Sequence, residues 1–240
     1  MGKFWINCLL LLPCIIYFGF GTSALEKGGK SGEIKGIDAK QTLDVNSARF
    51  LRSYGKTLRR YSQRYGLDWR LVMAVMKTES RFRPEAFSQR GAEGLMQIMP
   101  VTENQIAGEL GFVEEDFRAP HTNIRAGVYY LGKIYRSFGS QGINADNRIR
   151  FTLAAYNAGA ARIADARTLA KYLNDDPNEW GSVKASLPLL SRKYASLHGR
   201  VWDGGKPTSG YYRQWQETTC YVESIMAYYA EYCKIIPENV

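Results

Sequence analysis

The chain has 240 residues, 45% of them hydrophobic, and carries 32 lysines and arginines against 23 aspartates and glutamates, for a net charge of +9. This length buries a sizeable core in one medium domain without requiring a second, and the basic balance calls for an anionic partner. The two histidines, His121 and His198, have no Cys, Asp or Glu at metal-like spacing, which removes a metal site and a serine triad from consideration. Sixteen tyrosines fall mainly at helical spacing rather than in an RNA-binding motif, so nucleic acid is not the expected anion.

The chain opens with Met1-Gly2-Lys3, an apolar stretch from Phe4 to Phe20, and the small residues Gly21 to Ala24. This is the pattern of an export signal, cleaved after Ala24 or retained as an anchor, which gives a signal or anchor over 1–24 and places the protein in the periplasm or cell envelope. Cys8 and Cys14 lie inside that segment, and Cys14 follows a leucine and a proline rather than the small residue expected before a lipidated cysteine. Removing Lys3 with the signal lowers the charge from +9 to +8. Residues 25–45, rich in Gly, Lys, Ser and Asp, read as a flexible tether. A folded domain is expected over 46–240.

From Asn46 to Tyr65 the residues Leu51, Tyr54, Leu58, Tyr61 and Tyr65 mark one helical face, and Arg52, Lys56, Arg59, Arg60 and Arg64 crowd the other. That basic face is a solvated surface, or one that touches membrane or wall anions. Gly66 ends the helix and Asp68 caps the next. On this second helix Val72, Val75, Met76 and Glu79 share one stripe, which makes Glu79 either a partly desolvated carboxyl with a raised pKa or a glutamate that snorkels out at the helix end. Pro84 and Gly91 then punctuate a loop. Helices are predicted at about 101–108, 123–137, 146–156, 160–174 and 217–234. Strand signals are weak, and His198 to Gly210 reads as an exposed loop. Cys220 and Cys233 on one helix would stand about 20 Å apart, far beyond disulfide reach.

Three further stretches carry chemistry: Gly94-Leu95-Met96-Gln97-Ile98-Met99-Pro100, Asn123-Ile124-Arg125-Ala126-Gly127 and Ala155-Tyr156-Asn157-Ala158-Gly159. Gly94 would let the backbone approach a ligand closely, Gln97 offers an amide, and Met99 a polarizable apolar contact. Ile149, Leu153 and Tyr156 share a face, so the Tyr156 phenol and the Asn157 amide arrive where that helix meets the core.

With Glu79-Ser80, these segments in this order resemble the catalytic domain of the soluble lytic transglycosylase family, from about Ser47 to Tyr229. Asp165-Ala166-Arg167, Asn178-Glu179-Trp180, Val183-Lys184 and Leu187-Pro188-Leu189-Leu190-Ser191 resemble the membrane-bound lytic murein transglycosylase F type. That type usually carries a solute-binding-protein-like domain ahead of the catalytic one, where a short tether is expected here. Glu217-Thr218-Thr219-Cys220-Tyr221-Val222 resembles the family's Glu-Thr-Arg-x-Tyr-Val, with Thr219 in place of the arginine.

The resemblance implies a mainly α, lysozyme-like fold and cleavage of the β-1,4 bond between N-acetylmuramic acid and N-acetylglucosamine in peptidoglycan, with no cofactor. It implies that Glu79 acts first as acid and then as base to form a 1,6-anhydromuramic end. Ser88 and Gln97 would hydrogen-bond the N-acetyl sugar, Met99 would pack in the cleft, Tyr156 and Asn157 would position the sugar cation, and Tyr221 would stand on the cleft wall. Glycan strands are the expected partner, together with an envelope complex and, through the N-terminus, the membrane. Two rivals remain. A lysozyme-like hydrolase needs a second carboxylate, for which Glu85 and Glu93 are nearest in sequence. The other is a module that holds wall glycan without cutting it.

Overall fold

The computed structural model describes residues 42–111, 116–139 and 142–237. The signal or anchor over 1–24 and nearly all of the tether lie outside the described residues. Nine α-helices occur among them: α1 Val45–Tyr65, α2 Trp69–Ser80, α3 Pro100–Leu110, α4 Pro120–Ser137, α5 Ala145–Ala158, α6 Ala160–Tyr172, α7 Trp180–Ser186, α8 Ala195–Val201 and α9 Trp215–Ile235. Among the described residues β-structure is limited to isolated bridges pairing Phe87 with Glu93 and Glu93 with Ile98. No helix there is long and apolar enough to cross a membrane.

Local chemistry sets the helix ends. Asp44 caps α1 by accepting from the Asn46 and Ser47 amides, and Gly66 closes it in left-handed backbone, φ 71°. Asp68 caps α2 through the Arg70 amide. Pro100 and Pro120 open α3 and α4 at positions whose N–H would have no helical partner. The 160–174 helix predicted from sequence stops at Tyr172, because Asn174 adopts φ 62° and turns the chain away.

Helix α2 lies at the centre of the core. Every residue from Leu71 to Met76 is buried, as expected of a helix apolar on all sides. It runs antiparallel to α9, tied at three levels. The Tyr229 hydroxyl donates to Asp68 at 2.9 Å, Arg70 Nη1 donates to the Ile236 carbonyl at 3.1 Å, and the Tyr221 hydroxyl donates to Glu79 at 2.6 Å. Helix α1 crosses α4 where Gly132 meets Tyr65. A Cβ at Gly132 would fall 2.8 Å from Tyr65 Cβ, so glycine sets that helix spacing.

The segment after α6 departs from the sequence reading. His198 is not in an exposed loop but fully buried on α8. Its Nε2 lies 2.7 Å from the Leu189 carbonyl, and its ring packs against Trp202 and Tyr211. Two turns of helix are too short to show a period, and tertiary packing decides the conformation. The following loop is held by Asp165, which accepts from the Thr208 and Ser209 amides at 3.2 and 2.8 Å and from the Ser209 hydroxyl. Arg167 donates to the Pro177 carbonyl and to Asn178 Oδ1, while Asn147 bridges Glu179 and the Trp180 amide. The residues that set this half of the sequence apart therefore staple α5, α6 and α7 together.

Candidate active site

Glu79 occupies the last turn of α2, one turn beyond the buried Val75 and Met76. The side chain is half-buried. Burial pushes its pKa from 4.5 up to about 7, against the hydrogen bond from Tyr221, which favours the ionised form. The raised value expected from the helical stripe is present. Tyr221 comes from the first half of α9, and Tyr156 from α5. Burial, and after it the Glu79 charge, holds both phenols well above their ordinary pKa. One carboxyl therefore stands among two neutral phenols.

Behind these groups the sequence motifs interlock at Met96. Its amide donates to Asn123 Oδ1 at 2.8 Å, its carbonyl accepts from the Tyr156 hydroxyl at 2.8 Å, and its side chain lies over Gly127, where an added Cβ would stand 2.6 Å from Met96 Cβ. Asn123 is fully buried and also donates to the Glu93 and Phe117 carbonyls. Gly94, at φ 76°, leaves room for Asn123: an added Cβ would sit 2.4 Å from its Nδ2. The space a side chain would need at Gly94 is thus taken by Asn123, while Gly94 also lines a hollow with Glu93 and Arg118. Tyr130 on α4 packs against Tyr156 with ring centroids 5.7 Å apart.

The remaining candidates are placed as follows. Gln97 has left-handed backbone, φ 47°, and its amide nitrogen donates to the Ala86 and Gly94 carbonyls at 3.1 and 3.0 Å. Ser88 closes a turn, its hydroxyl accepting from the Ala92 amide at 2.9 Å. Met99 is half-buried at the start of α3. Asn157 is exposed, and its Oδ1 accepts from the Thr218 hydroxyl at 2.5 Å. Thr218 lies 2.5 Å from the Tyr212 hydroxyl. Sequence reasoning missed Thr218 and Tyr212 as the support of Asn157, although Thr218 lay within a segment already singled out. Thr219, in place of arginine, turns its hydroxyl onto the Trp215 carbonyl of its own helix.

The loop carboxylates are differently occupied. Glu93 pairs with Arg118 at 2.7 Å, and Glu85 is exposed. Two hollows flank the 84–85 segment, and Glu79 lines neither of them. Among the described residues no cluster of His, Cys, Asp and Glu is placed to hold a metal.

A family model described as the Transglycosylase SLT domain matches residues 56–179. The membrane-bound lytic murein transglycosylase F of Desulfosudis oleivorans is 39% identical over 170 residues, covering 70% of this chain and 34% of that protein. Its Vibrio campbellii counterpart is 34% identical over 211 residues, covering 83% and 36%. The chain thus spans about a third of the length of these relatives. Among solved structures, the 70 kDa soluble lytic transglycosylase of Escherichia coli is similar at 25% identity and a TM-score of 0.56, over 81% of this chain and 26% of that one. Its complex with bulgecin A matches with a TM-score of 0.55 at the same identity and coverage.

Proposed function

The chain belongs to the transglycosylase SLT domain family, and from that membership we propose that it is a peptidoglycan lytic transglycosylase cutting the β-1,4 bond between N-acetylmuramic acid and N-acetylglucosamine. Glu79 serves as the single acid and base. In its protonated form it donates to the glycosidic oxygen as the bond breaks. The substrate's own N-acetyl group stabilises the sugar cation, and the Glu79 carboxylate then takes the proton of the C6 hydroxyl as that oxygen closes on C1. A 1,6-anhydro end forms, and the enzyme returns with its proton.

The observation that carries this reading is a lone carboxyl with a pKa near 7, hydrogen-bonded by a phenol. A group that gives a proton and takes one back in a single turnover works best with its pKa near the working pH. Hydrolysis by two carboxylates is less well supported, since it needs a second carboxyl about 5 to 9.5 Å away and Glu93 is engaged by Arg118. Tyr156, carrying its proton at neutral pH, and Asn157, braced by Thr218, are assigned to the sugar cation. Ser88, Gln97 and Met99 are assigned to the N-acetyl sugar, with Gln97 offering its amide oxygen. On the same reading the protein is exported and works on the wall in the cell envelope.

Glu79→Gln separates catalysis from binding. The variant is expected to stop solubilising purified sacculi, with activity falling at least about a thousandfold, while co-sedimenting with them as the native protein does. Undiminished solubilisation would remove Glu79 from the mechanism. Solubilisation absent in both proteins would favour a holding module.

A further inference from the structure

Directly after Glu79 and Ser80 the chain leaves α2 abruptly. Arg81 and Phe82 both adopt left-handed backbone, φ 52° and 61°, a conformation disfavoured for residues that carry a side chain. The turn lays Phe82 on Phe50 of α1, the rings stacked with centroids 4.6 Å apart. These two rings line a hollow of about 500 Å³ between the start of α1 and the 81–85 segment, a size typical of ligand sites. Arg49, Arg81 and Arg83 also line it, and all three are exposed.

Arg83 Nε donates to the Ser80 carbonyl at 3.2 Å, which orients its guanidinium. Glu85 is the one carboxylate lining the hollow. The positive field continues along α1, where the exposed Arg52, Lys56, Arg60 and Arg64 follow Arg49 at three- and four-residue spacing on a helix without an acidic residue. Three planar cations beside an aromatic wall suit carboxylates carried on an organic body.

We infer that this hollow binds an acidic peptide, the carboxylate-bearing stem attached to the muramic acid of the strand being cut. The inference rests on the reading of wall glycan as substrate. The left-handed turn carries the chain from Glu79 directly to Arg81 and Arg83, which line the hollow together with Arg49.

Two measurements test the assignment. The first compares kcat/KM on peptide-bearing glycan strands and on strands stripped of peptide by an amidase. The native enzyme should prefer the peptide-bearing strands, and Arg49→Gln/Arg83→Gln should reduce that preference about fivefold to tenfold through KM, as expected for two exposed charge-assisted contacts. Arg60→Gln/Arg64→Gln removes the same charge outside the hollow and should leave the preference intact. Equal effects from the two variants, or none from the first, would overturn the inference. The second titrates the isolated stem tripeptide by NMR and needs no turnover, so it stays decisive even if the proposed reaction fails. Saturable binding by the native protein that Arg49→Gln/Arg83→Gln weakens supports the site; no binding, or binding unchanged in the variant, refutes it.

Discussion

At the scale of single residues, the Glu79 and Tyr221 pair is the most sensitive part of the account. The phenol donates to the carboxyl at 2.6 Å and so favours its ionised form, opposing the upward push of burial. In Tyr221→Phe the opposing effect is gone and the Glu79 pKa should rise above about 7. The alkaline limb of kcat/KM, where the acid loses its proton, is then expected to move to higher pH, with kcat lower by about tenfold to a hundredfold. A pH-rate profile reads both quantities. A limb that stays in place would show that the phenol does not tune the acid. Helical spacing alone leaves Glu79 between a desolvated acid on the stripe of Val72, Val75 and Met76 and a glutamate that snorkels out at the helix end, and the resemblance of the distant motifs decides for the acid. Tyr221 was legible only through its resemblance to a motif, since no pattern in one chain reveals a contact between residues 142 positions apart.

At the scale of elements, the segments around Met96, Asn123 and Tyr156 lock one another in place beside Glu79. Met96 is clasped by Asn123 from α4 and Tyr156 from α5, and Gly94 and Gly127 are glycine because the space is already filled. Asn123→Ala would leave the Met96 amide and the Glu93 and Phe117 carbonyls without that partner, and a loss of about 3 kcal/mol is expected. Gly127→Ala drives a methyl into Met96 and should cost about 1 to 3 kcal/mol. Urea denaturation midpoints measure both, and an unchanged midpoint in either variant would contradict the packing described. The long helices could be read from sequence because their apolar spacing and capping residues agree, as at Asp68 and Gly66. The short α7 and α8 could not. His198 packs against Trp202 at the end of its own helix, against Tyr211 from the following segment and against the Leu189 carbonyl, contacts that its own short helix does not announce.

For the molecule as a whole, a raised acid at the end of the central helix couples function to stability. Between about 4.5 and 7 the folded protein keeps a proton on Glu79 that the unfolded chain releases. The stability this supplies is complete below about 4.5 and is lost as pH rises through about 7, amounting to about 3 kcal/mol at most. Asp44 acts in the opposite sense: its pKa is lowered from 3.8 to about 2, with its hydrogen bonds from Ser47 and Lys77 outweighing desolvation, so its contribution is present above 3.8 and lost as pH falls through 2. Glu79→Gln should therefore melt higher than the native protein at pH 8, by about 6 to 12 °C, with the gap narrowing toward pH 5 and closing below about 4.5. A gap independent of pH would mean that the carboxyl is not desolvated. The same buried proton is what the proposed chemistry draws on. Mass spectrometry of the muropeptides released from purified sacculi tests that chemistry most directly: the account predicts products lighter by one water, ending in 1,6-anhydromuramic acid and absent with Glu79→Gln, whereas products carrying only reducing ends would contradict it.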